Sequence, residues 1–228
     1  LAGPDHFVML ILVTALVVVA TPALLMTVML TSSPRQTLLL RWPRGLTLPA
    51  AALLAVVLHP AARALQMVVT LLYPLSEKLK PELQGLEGFL LNAPLWQLLL
   101  IMALVPAICE ELAFRGFILS GFRHLGHKWR AIVYAAVFFG LTHAIMQQSI
   151  VSCILGIVIG LVAVQSGSIL PAMLFHFVHN GLLVLSTQIT PHVFARWPAL
   201  SYLAAWGHEG ELVFHWPVVA VSAVLSFA

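Results

Sequence analysis

The sequence predicts an all-α, polytopic transmembrane bundle, and three observations predict it. Of 228 residues, 61% are hydrophobic and only 8% charged, against about 25% charged in an ordinary soluble domain. The mean hydropathy is +1.02, an apolar excess that lipid can absorb and a water-soluble core cannot. The apolar residues also fall in long runs. One spanning helix takes about 20 of them, so the chain supplies roughly seven or eight spans.

The first span reads Phe7–Leu30. It is too long for a signal-peptide core and has no basic leader or small-residue cleavage site. Pro22 inside it is tolerated because neighbouring helices re-satisfy the carbonyl it frees. The second span, Leu46–Leu72, contains His59, Pro60 and Arg63. Next, the charges of Glu77, Lys78, Lys80, Glu82 and Glu87 interleave with Leu83, Leu86, Phe89 and Leu90, the pattern of a short amphipathic helix at the interface. The third span is Leu95–Ser120, the fourth Ala131–Met146, the fifth Ile150–Val164 and the sixth Ile169–Ser186. Gly156 and Gly160 in the fifth have the spacing that lets helices approach closely. Trp197–Trp206 reads as the start of a seventh span, and Leu212–Ala228 as a last apolar run.

No repeat or low-complexity stretch divides the chain, so it reads as one membrane domain. Residues 1–94 form N-terminal transmembrane helices and an interfacial segment, 95–187 a core, and 188–228 a C-terminal transmembrane segment. The chain begins at Leu1 and ends at Ala228 without a polar tail, which reads as a piece of a longer polypeptide.

Charge placement sets the orientation. Arg35, Arg41, Arg44, Arg123, Lys128 and Arg130 fall in loops on one side, and Lys78, Lys80 and Arg196 on the other. The more basic side is expected in the cytoplasm. No basic stripe is interleaved with aromatics, so nucleic-acid binding has no support; lipid is the partner the composition calls for. Cys109 and Cys153 lie in apolar runs and read as packing residues rather than as a disulfide framework.

The third span carries three charged groups, Glu110, Glu111 and Arg115, each costing about 2.5–3.5 kcal/mol at the bilayer centre. Glu111 and Arg115 are spaced to share one helix face and pair. Glu110 sits about 100° further round, has no partner in its own span, and suits a group that accepts and returns a proton. Candidate partners lie on two other spans: Phe139 and His143 in the fourth, His176 and Asn180 in the sixth. Histidine and asparagine are the side chains that orient a water or donate to an oxyanion.

The runs Glu110-Glu111-x-x-x-Arg115, Phe139-x-x-x-His143 and His176-x-x-x-Asn180 resemble, in order and placement, those of the CPBP family. This is the family of CAAX prenyl endopeptidases and bacteriocin-processing or self-immunity proteins, also called the abortive-infection family. The resemblance covers residues 95–187 and implies a four-helix catalytic core. It implies a glutamate-dependent intramembrane endopeptidase without a cofactor, acting on a membrane-proximal peptide or protein in a prokaryotic plasma membrane. Glu110, with His143, would activate a water. His176 and Asn180 would form the oxyanion hole, and Glu111, Arg115 and Phe139 would support the site. The identity of the substrate, prenylated or not, is not legible.

Other residues have plainer readings. His179 packs or stands behind the site, His59 and Arg63 are structural or line a cavity, and His124 and His127 are solvated in a basic loop. Two competing functions stand beside the leading one. Glu110, His143, His176 and His179 offer donors that suit zinc, although no His-Glu-x-x-His run exists. Intramembrane ionisable groups also mark transport paths. Since CPBP-type domains occur fused after ABC permeases, a non-catalytic, permease-associated module of an export system is the third reading.

Overall fold

A proline has no N–H to give the helix, and its ring crowds the carbonyl four residues back. Two long helices widen into π-helix ahead of one. In α1 (His6–Leu30) the segment Val13–Ala20 precedes Pro22; in α4 (Leu95–Arg123) the segment Leu99–Leu104 precedes Pro106. The N–H of Thr21 donates to the Leu16 carbonyl and that of Val105 to the Leu100 carbonyl, one residue further back than in an α-helix. A second π segment of α4, Leu112–Ile118, surrounds Arg115 and has no proline after it.

The computed structural model describes residues 4–124, 126–207 and 211–227. It is an all-α polytopic bundle with one small hairpin. Besides α1 and α4, the spanning helices are α2 (Thr47–Leu72), α6 (Met146–Ser166) and α7 (Leu170–Gln188). These are five helices, among the described residues, that are long and apolar enough to cross a membrane. The amphipathic segment forms α3 (Lys80–Asn92). Two further helices are too short to count as spans: α5 (Lys128–Leu141) has 14 residues and α8 (Trp216–Phe227) has 12.

Two expectations are corrected. Trp197–Trp206 does not begin a seventh span. Pro198 opens a 3-10 turn, Pro198–Tyr202, and the chain then makes strand β1 (Ala204–Trp206), antiparallel to β2 (Leu212–Phe214). The apolar run from Leu212 is therefore part strand and part α8. The fourth span also ends early. Residues 142–145 leave the helix, with the Thr142 hydroxyl donating to the Phe139 carbonyl and the Ser149 hydroxyl to the His143 carbonyl. His143 thus stands in the turn between α5 and α6 rather than inside a helix.

Small residues bring the helices together. A Cβ on Gly156 would lie 3.1 Å from the Ala136 Cα, and one on Gly160 would lie 3.0 Å from Ile132, so the Gly-x-x-x-Gly face of α6 is the seam with α5. The main core joins Ala51, Ala55 and Leu58 of α2 to Ile159 and Ala163 of α6 and to Ala172 and Phe175 of α7. The outward faces are apolar and exposed, with Val17, Val18 and Met29 on α1, Leu53 and Leu71 on α2, and Leu141 on α5, as a lipid-facing surface requires.

The loops sort to two ends. At the basic end the Ser120 hydroxyl donates to the Thr37 carbonyl (2.6 Å), and the Ile169 N–H donates to the Leu39 carbonyl (3.1 Å). There the Arg41 guanidinium caps the Gly167 carbonyl. Gly167 closes α6 in the left-handed conformation, φ +62°. At the other end the Gln188 amide donates to the Leu90 carbonyl (3.1 Å), and the Gln147 amide donates to the Tyr73 carbonyl. These bonds tie the end of α7 to α3 and the start of α6 to the end of α2.

Candidate active site

The first residues to place are the two adjacent glutamates, which α4 points in different directions. Glu111 is fully buried, whereas the Glu110 side chain is 21% exposed into a cavity. Only Glu110 can meet a water.

Glu111 Oε1 accepts from Arg115 Nη1 at 2.8 Å and from His176 Nδ1 at 2.8 Å. Its pairing with Arg115 is as the spacing predicted; its hold on His176 is not legible in the spacing, because the two residues are on different helices. Arg115 is itself fully buried. Its Nη2 donates to the Gly156 carbonyl at 3.2 Å, and its guanidinium lies 4.4 Å over the centre of the Phe139 ring. Charge on an aromatic face in a dry setting is attractive. Phe139 also meets the His143 ring (5.2 Å) and the His176 ring (5.7 Å) edge to face. Phe139 is the hub on which both histidines and the arginine are seated.

With Nδ1 donating to Glu111, His176 turns Nε2 to Glu110, 3.7 Å from its Oε2. That is an ion-pair distance and too long for a direct hydrogen bond. His143 is fixed the other way. A carbonyl can only accept, so Nδ1–H of His143 donates to the Phe139 carbonyl (3.1 Å). Nε2 then carries the lone pair and accepts from the Ser152 hydroxyl (3.2 Å). Asn180 donates from Nδ2 to the Met102 carbonyl at 3.3 Å, which leaves its second N–H for another acceptor.

Glu110, His143, His176 and Asn180 all line one cavity of about 520 Å³. His179 and Arg63 line it too. His59 lies behind them, its ring 5.4 Å from that of His179 and 5.9 Å from that of Phe214 on β2. Among the described residues, neither His59 Nδ1 nor His179 Nδ1 has a hydrogen-bond partner. Cys109 is buried against Ala15 and Ala20 of α1, and His124 and His127 are exposed. Among the described residues, no three His, Cys, Asp or Glu side chains are placed to hold one metal ion.

Sequence reasoning missed Ser152, which orients His143, and Gly156, whose carbonyl receives Arg115. A signal was present: Gln148, Ser152 and Gly156 recur every four residues on one face of α6.

The chain matches no curated protein and no solved structure. Residues 92–182 match the family model described as type II CAAX prenyl endopeptidase Rce1-like. That stretch holds all three motifs and the five cavity residues they contribute, Glu110, Phe139, His143, His176 and Asn180. Over residues 92–182, therefore, this membrane chain is similar to the Rce1-like type II CAAX prenyl endopeptidase family, in line with the resemblance its motifs carry.

Proposed function

We propose that the chain is an intramembrane endopeptidase that hydrolyses a peptide bond with water activated by Glu110. The observation that carries this reading is the meeting of Glu110, His143, His176 and Asn180 on one cavity inside a helical bundle. Glu110 removes a proton from the water, and His143, which lines the same cavity, helps to orient it. The water oxygen bonds to the scissile carbonyl carbon, and the charge that develops on the carbonyl oxygen is met by Asn180 Nδ2–H and His176 Nε2–H. Because Nδ1–H of His176 is held by Glu111, Nε2 donates only when the ring carries both protons. As the carbon–nitrogen bond breaks, Glu110 returns its proton to the leaving amine. Pre-aimed donors in a site with little water act without reorganising, and a positioned proton carrier contributes about 10²–10⁴-fold. Glu111, Arg115 and Phe139 position these groups.

The test uses purified protein in liposomes with membrane-anchored peptides, prenylated and unprenylated. Cleavage that survives a strong chelator and is lost in His143→Ala and Asn180→Ala supports this reading. Cleavage abolished by the chelator and restored by zinc favours the metal alternative. No cleavage, together with an ABC permease that co-purifies from the native membrane, favours the permease-associated module.

A further inference from the structure

The cavity has a direction across the membrane. Its walls come from the second half of α2 (Arg63, Gln66 and Thr70), from residues 102–110 in the first half of α4, from the α5–α6 turn and α6 as far as Ile159, and from His176 to Leu183 of α7. Most of these belong to the end of the bundle where α2 finishes and α6 begins, and the deepest, Ile159, lies near the middle of α6. The Arg35–Arg44 segment, the end of α4 at Arg123, the start of α5 with Lys128 and Arg130, and the turn at Gly167 line no part of it and lie at the opposite end.

That opposite end carries six of the nine cations that stand in loops or at helix ends (Arg35, Arg41, Arg44, Arg123, Lys128 and Arg130), against Lys78, Lys80 and Arg196 at the cavity's end. Short-loop Lys and Arg excess marks the cytoplasmic side. We infer that the cavity opens to the non-cytoplasmic face and takes as substrate a peptide segment presented from that face, the membrane-proximal part of an exported or anchored polypeptide. Gln66 and Gln148 supply amides on the way in. An amide pairs with the N–H and C=O of an extended peptide whatever its side chains, so the wall suits a backbone more than a particular sequence. The nature of the substrate rests on the proposed protease function; the side of the opening does not.

The test reads the side without activity. Gln148→Cys, exposed at the cavity wall, and Trp129→Cys, 56% exposed at the basic end, leave every loop cation in place. Each is expressed in the plasma membrane of a bacterial host and treated as spheroplasts with a membrane-impermeant maleimide; the parent, with its buried Cys109 and half-buried Cys153, is the blank. The expected result is labelling of Gln148→Cys on intact spheroplasts and of Trp129→Cys only after lysis. Tyr73→Cys, 48% exposed at the end of α2, replaces Gln148→Cys if that variant does not insert. Labelling of Trp129→Cys on intact spheroplasts, with the cavity cysteine silent until lysis, overturns the inference. Failure of the protease reading would leave the labelling pattern unchanged, so the two failures are separable.

Discussion

One carboxylate oxygen, Glu111 Oε1, accepts from both Arg115 Nη1 and His176 Nδ1, each at 2.8 Å. The structural ion pair of α4 and the catalytic candidate of α7 are therefore one unit. Removing the acid leaves a fully buried arginine without its partner, which costs about 3–5 kcal/mol. Glu111→Ala should lower the melting temperature in detergent sharply, and Glu111→Leu combined with Arg115→Leu should lose less than the two single changes summed. Additive losses would mean that the pair is not coupled.

Ser152 should act through His143. Its hydroxyl donates to Nε2 across 3.2 Å, a bond of about 0.5–1.5 kcal/mol. Ser152→Ala should lower kcat about 2–10-fold with KM unchanged, and Ser152→Thr, which keeps the hydroxyl, should retain more. The check is steady-state kinetics on a fixed peptide. A rise in KM alone would assign Ser152 to substrate contact instead.

The α5–α6 seam should not tolerate side chains. A Cβ on Gly156 meets the Ala136 Cα at 3.1 Å and the Phe139 ring at 3.2 Å, whereas a Cβ on Gly121 meets nothing within 4 Å. Gly156→Ala should cost about 1–3 kcal/mol by overpacking. Gly121→Ala, in an open helical position, should be neutral or better by about 1 kcal/mol. Thermal unfolding of the two variants side by side is the measurement, and it also reports on Phe139, whose displacement would unseat both histidines.

The site was more legible in the sequence than its supports were. A charged residue in a span is costly wherever it stands, so Glu110, Glu111 and Arg115 stood out at once, as did the histidines of α7. The helix period alone paired Glu111 with Arg115. It could not join Glu111 to His176, because that contact depends on how α4 and α7 pack. Hydropathy places His143 in a helix interior because Thr142 to Met146 is uncharged; the break there comes with side-chain hydroxyls taking over backbone carbonyls, which hydropathy does not register. The two strands Ala204–Trp206 and Leu212–Phe214 are as apolar as a span, and the turn signals are Pro198 and the polar, glycine-bearing run from Gly207 to Glu211.

The most direct measurement is cleavage of a liposome-anchored peptide by Glu110→Gln beside the parent. The substitution keeps the size and one acceptor oxygen and removes the ability to take a proton. It should lower kcat by about 10²–10⁴-fold, with the melting temperature and membrane insertion unchanged, since Glu110 neither pairs with Arg115 nor hydrogen-bonds His176 directly. Parent-like cleavage by folded Glu110→Gln would contradict a water-activating role for this carboxylate.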